Sequence, residues 1–266
     1  MLLKRTLTLL LCLCNLTVFA QDWNKKQAAV VLTYDDALNV HLDNAIPALD
    51  SLGLKGTFYL TAAFPGFSQR IADWKKVAAK KHELANHTLF HPCDGSQPGR
   101  SFVTPEYDMS TYSLRRMTDE IKVTNSALQA LDGKKERTFA YPCGDTKVGD
   151  VSYVDGIKGD FVAARGVHGE MVQPRTTNLY NVGSYVVNGQ SGEELIALVK
   201  EAMKTNSMIV FLFHGVGGEH SLDVSLEAHR KLLRFLKENE KKIWNPTFIE
   251  AAKFIKSAGT AKKANG

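Results

Sequence analysis

Apolar positions along this chain fall into short continuous runs separated by longer amphipathic stretches. Residues 28–33, 56–60, 138–141, 161–164, 182–187 and 208–213 are rich in β-branched and aromatic side chains and read as strands, and 83–85 reads as a short strand leading into a histidine pair. Run 208–213 is almost wholly apolar, the pattern of a strand buried on both faces. Between the runs lie helical patterns. Residues 45–52 form one that stops at Gly53, and residues 71–81 form the next. Residues 113–131 give the clearest, with Leu114, Met117, Ile121, Leu128 and Leu131 on one stripe and Asp132-Gly133 as its end. Further helices are predicted over 193–204, 224–240 and 248–257. Strand and helix alternate throughout, with no internal repeat and no low-complexity linker. The pattern predicts an α/β fold, a (β/α) barrel of about seven parallel strands with helices outside, in one domain over residues 21–258. Residues 259–266 read as a disordered basic tail.

The N-terminus changes the picture of where the protein works. Lys4 and Arg5 precede an apolar stretch, and Val18-Phe19-Ala20 offers a cleavage site, so residues 1–20 read as a secretory signal peptide. The stretch is short for a membrane anchor. The expected location is therefore secreted or periplasmic. The formal charge of +5 falls by the two leader cations, and no basic run interleaves with aromatics, so no nucleic-acid partner is expected. The expected state is a monomer without a membrane span. Once the leader and its Cys12 and Cys14 are gone, only Cys93 and Cys143 remain. In an exported protein such a pair is a candidate disulfide, and two independent buried thiols are the competing reading.

Four segments at strand ends carry metal- or proton-handling side chains: Thr33-Tyr34-Asp35-Asp36, His87-Thr-Leu-Phe-His91, Ala140-Tyr141-Pro142-Cys143-Gly144 and Phe211-Leu212-Phe213-His214. The C-terminal ends of strands are where α/β barrels place their chemistry. Two histidines four apart share a face on a helical turn, and two neutral imidazoles on one face can ligate a divalent metal. Singly, each segment has a plain structural reading: a turn, a helix cap or a core histidine. His41, His168, His220 and His229 keep that reading, and so does His82, with the one difference that it opens the segment carrying the histidine pair.

Taken together, VVLTYDDA (30–37), HELANHTLFHP (82–92), FAYPCGD (139–145) and IVFLFHG (209–215) resemble the polysaccharide deacetylases of carbohydrate esterase family four, in the family's order. The resemblance spans about residues 28–255. It implies a distorted (β/α) barrel with a groove on its C-terminal face. It implies removal of an acetyl group from a carbohydrate polymer, such as an N-acetylglucosamine polymer, peptidoglycan or acetylated xylan, through one divalent metal. It gives the oxyanion and substrate side to Tyr141 and the backbone N–H of Cys143.

The chemistry also follows from the residue types. Asp36, His87 and His91 make a three-ligand site that leaves positions open for water and a carbonyl, and this donor set suits zinc, while cobalt, nickel or manganese also fit. Asp35 is then the natural general base and His214 the general acid for the leaving atom. Adjacent side chains on a strand point apart, so Asp35 and Asp36 can both serve only where the strand has ended and turned. The chain departs from the family at Ala140, where members often carry an arginine that orients the base. Arg165 or Arg175 could supply that charge, with Arg165 the nearer to a predicted strand. Two alternatives stay open: an inactive carbohydrate-binding barrel and a cyclic-amide hydrolase.

Overall fold

A computed structural model describes the backbone of residues 23–263 and the side chains of residues 23–258. The leader at 1–20, with Cys12 and Cys14, lies outside the described residues. Strand β1 (Ala28–Asp35) is buried along its whole length. Its Ala28, Val30, Leu32 and Tyr34 pack outward under helices, while Ala29 and Val31 pack inward. Both faces are covered, which is why the run shows no polar alternation.

Strands β2 (Thr57–Leu60), β3 (Glu83–Asn86), β4 (Thr138–Ala140), β5 (Ala163–Arg165), β6 (Tyr185–Val186) and β7 (Met208–Phe213) join β1 in a parallel sheet ordered β5-β4-β3-β2-β1-β7-β6. A short eighth strand, Ile243–Trp244, pairs with Ala28 and Ala29 at the start of β1. The seven-strand sheet curls into a half-barrel. Its edges are joined by a bridge between Arg165 and Val182, with the Val182 N–H on the Ala164 carbonyl (3.0 Å) and the Gly166 N–H on that of Val182 (2.8 Å). That bridge is why the run predicted over 182–187 keeps only Tyr185–Val186 as a strand of the sheet.

Helices α1 (Ile46–Ser51), α2 (Ile71–Ala79), α3 (Leu114–Asp132), α4 (Gly192–Lys204) and α5 (Leu226–Glu238) surround the sheet. Ser113 caps α3 by accepting the Arg116 N–H, and Gly133 ends it at φ 73°. Met117, Ile121 and Leu128 are buried as the stripe predicts, but Leu114 is 40% exposed. It sits in the first turn, before the helix reaches the core. Helix α6 (Phe248–Lys263) plugs the barrel interior with Phe248, Ala251, Ala252 and Ile255. Its leading N–H groups are satisfied by the barrel itself, Phe248 by Thr57 Oγ1 and Ile249 by Glu83 Oε2, both at 2.8 Å. The helix runs past residue 257, so the start of the segment expected to be a disordered tail continues it to Lys263. Among the described residues no helix is long and apolar enough to cross a membrane.

The two loops that rim the open end are joined by a disulfide between Cys93 and Cys143, Cα atoms 5.8 Å apart. Arg100 braces the same loops, donating to Asp145 Oδ2 at 2.5 Å and to the Cys143 carbonyl at 3.1 Å. Leader-free protein, unfolded without reductant, is expected to show no reactive thiol, and two per chain would contradict the bond. Cys93→Ser should lower unfolding stability by about 2–4 kcal/mol in denaturant titration.

Candidate active site

The alternation along β1 dictates where Asp35 points. Ala29 and Val31 face inward, so Thr33 and Asp35 share their side of the strand. Asp35 is the last residue of β1, and the chain then turns through two left-handed residues, Asp36 (φ 78°) and Ala37 (φ 55°). This turn meets the condition set by the sequence: both carboxylates reach one cavity. His87 directly follows β3, its N–H on the Leu60 carbonyl (3.1 Å). The stretch 87–91 is not the helical turn that the spacing suggested. It is a loop with left-handed residues at Thr88 (φ 66°) and His91 (φ 57°). Two local bonds hold it, the Thr88 N–H on Asn86 Oδ1 (2.8 Å) and the His91 N–H on Thr88 Oγ1 (2.9 Å). These competing side-chain bonds replace a helical ladder, yet they still bring the imidazole centroids to 4.7 Å.

Asp36 Oδ1 lies 3.5 Å from His87 Nε2 and 3.4 Å from His91 Nε2. This oxygen is buried with no hydrogen-bond donor, a costly state for a carboxylate unless a cation serves it. His87 Nδ1 donates to the Ala140 carbonyl at 2.9 Å, which leaves the Nε2 lone pair for a ligand. Burial opposes charge on Asp36, but the imidazoles of His91, His87, His214 and His220 together hold its pKa down to about 2. Burial pushes His87 down to about 4, keeping it neutral as a ligand must be. Two imidazole nitrogens and one ionised carboxylate fit a divalent metal. His91 also lies near Cys93 and Cys143, but their sulfurs are used in the disulfide.

Asp35 meets Arg165, the last residue of β5 and fully buried. The guanidinium donates through Nη2 to Asp35 Oδ2 and through Nη1 to the Gly166 carbonyl and Ser184 Oγ, both at 3.2 Å. It also lies 5.0 Å from the centroid of the Tyr59 ring. In the β4–β5 ladder Ala140 and Arg165 are register partners. The charge absent at Ala140 thus arrives from the neighbouring strand. Arg175 is exposed. His214 follows β7 and places Nε2 3.9 Å from Asp36 Oδ2. Burial lowers its pKa, and the Asp35 and Asp36 carboxylates oppose that effect.

Tyr141 and Cys143 both line the cavity. The Tyr141 hydroxyl donates to the Tyr180 carbonyl (2.7 Å), and Cys143 takes a left-handed conformation, φ 54°. The cavity has a volume of about 650 Å³, and Phe102, Val167, Val186, Leu212 and Leu222 give it apolar walls. Phe102 remains 65% exposed at the rim.

Two histidines read as bland belong here. His41 is buried and donates from Nε2 to the His214 carbonyl (2.8 Å). His220 lines the cavity, stacked on His214. Its signal was Gly217-Gly218, which marks a tight loop returning to the strand end. His82 sits at the opposite end of β3, bonded to the Gly56 N–H and Asp50. His229 bonds the Tyr34 hydroxyl in the outer core, and His168 is exposed beside Glu170.

The profile of the polysaccharide deacetylase family matches residues 22–153. The uncharacterized protein YlxY of Bacillus subtilis (strain 168) is 28% identical over 106 residues, 40% of this chain and 28% of that protein, so the match spans under a third of its length. Puue allantoinase superposes with a TM-score of 0.60 at 9% identity, covering 88% of this chain and 92% of its own. The Xyl-CE4 domain of a multidomain xylanase from the hindgut metagenome of Trinervitermes trinervoides gives 0.55 at 18% identity, covering 85% and 89%. At these identities the structural likenesses speak for the fold. With the family profile lying over the segments that hold Asp35, Asp36, His87 and His91, the chain belongs to the polysaccharide deacetylase family.

Proposed function

We propose that this protein is an exported, metal-dependent hydrolase that removes acetyl groups from a carbohydrate polymer. The observation that carries the reading is the convergence of Asp35, Asp36, His87, His91 and His214 on one cavity, with Oδ1 of both aspartates buried and unpaired. The signal-peptide pattern at 1–20 supports export, and a polymer is the substrate an exported enzyme of this family would meet.

A divalent cation, zinc by its donor set, would be held by Asp36, His87 and His91 and would supply Lewis-acid polarisation of the acyl carbonyl and of water. The chain's own residues do the rest. Arg165 occupies Asp35 Oδ2 and leaves Oδ1 as the free acceptor, so Asp35 takes the proton from the attacking water. The backbone N–H of Cys143, on the cavity-lining loop fixed by the disulfide, would serve the developing oxyanion. His214, across Asp36 from the two ligand histidines, returns a proton to the leaving nitrogen or oxygen. The apolar walls and rim limit water around the acyl group.

The purified mature protein should carry about one equivalent of metal, since three protein ligands define a single site. The double substitution of His87 and His91 by Ala should abolish it, and full retention would remove the ligand assignment.

The function is tested by acetate release from chitin oligosaccharides, peptidoglycan and acetylated xylan, with and without chelator. At least one should release acetate in a chelator-sensitive way, and no release from any would overturn the hydrolase reading. Asp35→Asn should keep metal while lowering kcat by about 10²–10⁴-fold. Near-normal turnover would show that Asp35 is not the base.

A further inference from the structure

The imidazole that carries the second proton is held unusually. His214 Nδ1 is buried and has no hydrogen-bond partner among the described residues. His41 fixes the His214 carbonyl, not its ring. At the other end Nε2 lies 3.9 Å from Asp36 Oδ2, beyond hydrogen-bonding distance. What does touch the ring is another ring. His220 lies flat against it, centroids 4.6 Å apart and planes 13° from parallel.

The loop that delivers His220 is strongly determined. Gly217 (φ 77°), Gly218 (φ 122°) and Glu219 (φ 70°) run consecutively at positive φ. For a glutamate such a backbone is unfavourable and needs support from its surroundings. Support comes from its carboxylate, which accepts the Val40 N–H and the Asn39 side-chain amide, both at 2.8 Å. The return strand adds the Gly215 N–H on the Leu222 carbonyl (2.9 Å) and the Gly217 N–H on that of Val224 (2.8 Å). His220 Nδ1 accepts the Leu222 N–H at 3.0 Å, so in the neutral ring the hydrogen sits on Nε2. The ring is thereby locked in orientation before any substrate arrives.

We propose that His220 is a positioning residue for His214, its flat face doing for that imidazole what a hydrogen bond at Nδ1 would otherwise do. The inference rests on His214 as the proton donor of the proposed hydrolase. Stacking restricts rotation of the His214 ring about its χ2 torsion and keeps Nε2 on the line to the leaving atom. A small misplacement of such a group costs about 10²-fold in rate.

Two variants and two substrates test this in the zinc-loaded protein. His220→Phe keeps a flat ring without nitrogens, and His220→Ala removes the face. A chitin oligosaccharide has an amide leaving group that needs the proton, whereas 4-nitrophenyl acetate has one that leaves without it. His220→Ala should lower kcat for the amide by about 10–100-fold at nearly constant KM and spare the ester. His220→Phe keeps the flat face but not the Nδ1 bond to Leu222, so it should recover most of the amide activity that His220→Ala loses and match wild type on the ester. Equal losses on the two substrates, no loss on either, or a Phe variant as impaired as Ala would overturn the proposal. Proton NMR separates it from the function assignment. The His214 Cε1–H signal should lose its ring-current shift in His220→Ala and keep it in His220→Phe. An unmoved signal in His220→Ala overturns the stacking role, whereas absence of acetate release by wild type, with the NMR result intact, overturns only the hydrolase reading.

Discussion

A fully buried arginine governs the mouth of this barrel. The Arg165 guanidinium has left water entirely, and its partners are the Asp35 carboxylate, the Gly166 carbonyl, the Ser184 hydroxyl and the Tyr59 ring face. A buried pair of this kind adds little net stability, but removing one partner leaves an uncompensated charge at a cost of about 3–5 kcal/mol. The pair is therefore a device of orientation. It spans the barrel from the end of β5 to the end of β1, and it decides which Asp35 oxygen is engaged and which is available. The arginine can occupy that place because Ala140, its register partner on β4, is small and leaves the space beside it free.

The rest of the site is built on the same economy of strand ends. Each candidate site residue is the last residue of a strand or stands within a few residues of one, and left-handed backbone shapes the turns that follow: Asp36, Thr88, His91 and Cys143 all have positive φ. None of these is a glycine, so each turn carries local strain that the disulfide, Arg100 and the side-chain bonds of Asn86 and Thr88 stabilise. Rigid strands below and braced loops above give the fixed geometry that proton transfer requires.

Much of this was legible in the residues. Continuous apolar runs placed seven strands, and the acids and histidines at their ends marked side chains that line one cavity, because burial on both sheet faces leaves a pattern that survives without tertiary knowledge. What failed to show depends on tertiary placement. The histidine pair looked helical by spacing, yet Asn86 and Thr88 bond the loop locally and remove the helix. Val182 belongs by pattern to a strand, but it pairs across the gap with Arg165. Leu114 continues a stripe by periodicity, while its turn lies beyond the core. His41 carries no sequence signal, since it bonds only the His214 carbonyl, and His220 is marked only by the Gly217-Gly218 pair before it. The register of Ala140 with Arg165 is likewise a property of the sheet and not of either segment.

The account turns on Arg165 holding Asp35 for its work. Its most direct test is the kcat of Arg165→Gln, measured beside metal content and folded-state circular dichroism. The expected result is a folded protein with its metal intact and acetate release slowed by at least about tenfold, as for loss of an orienting contact. A folded, metal-bearing variant with kcat within twofold of wild type would contradict it.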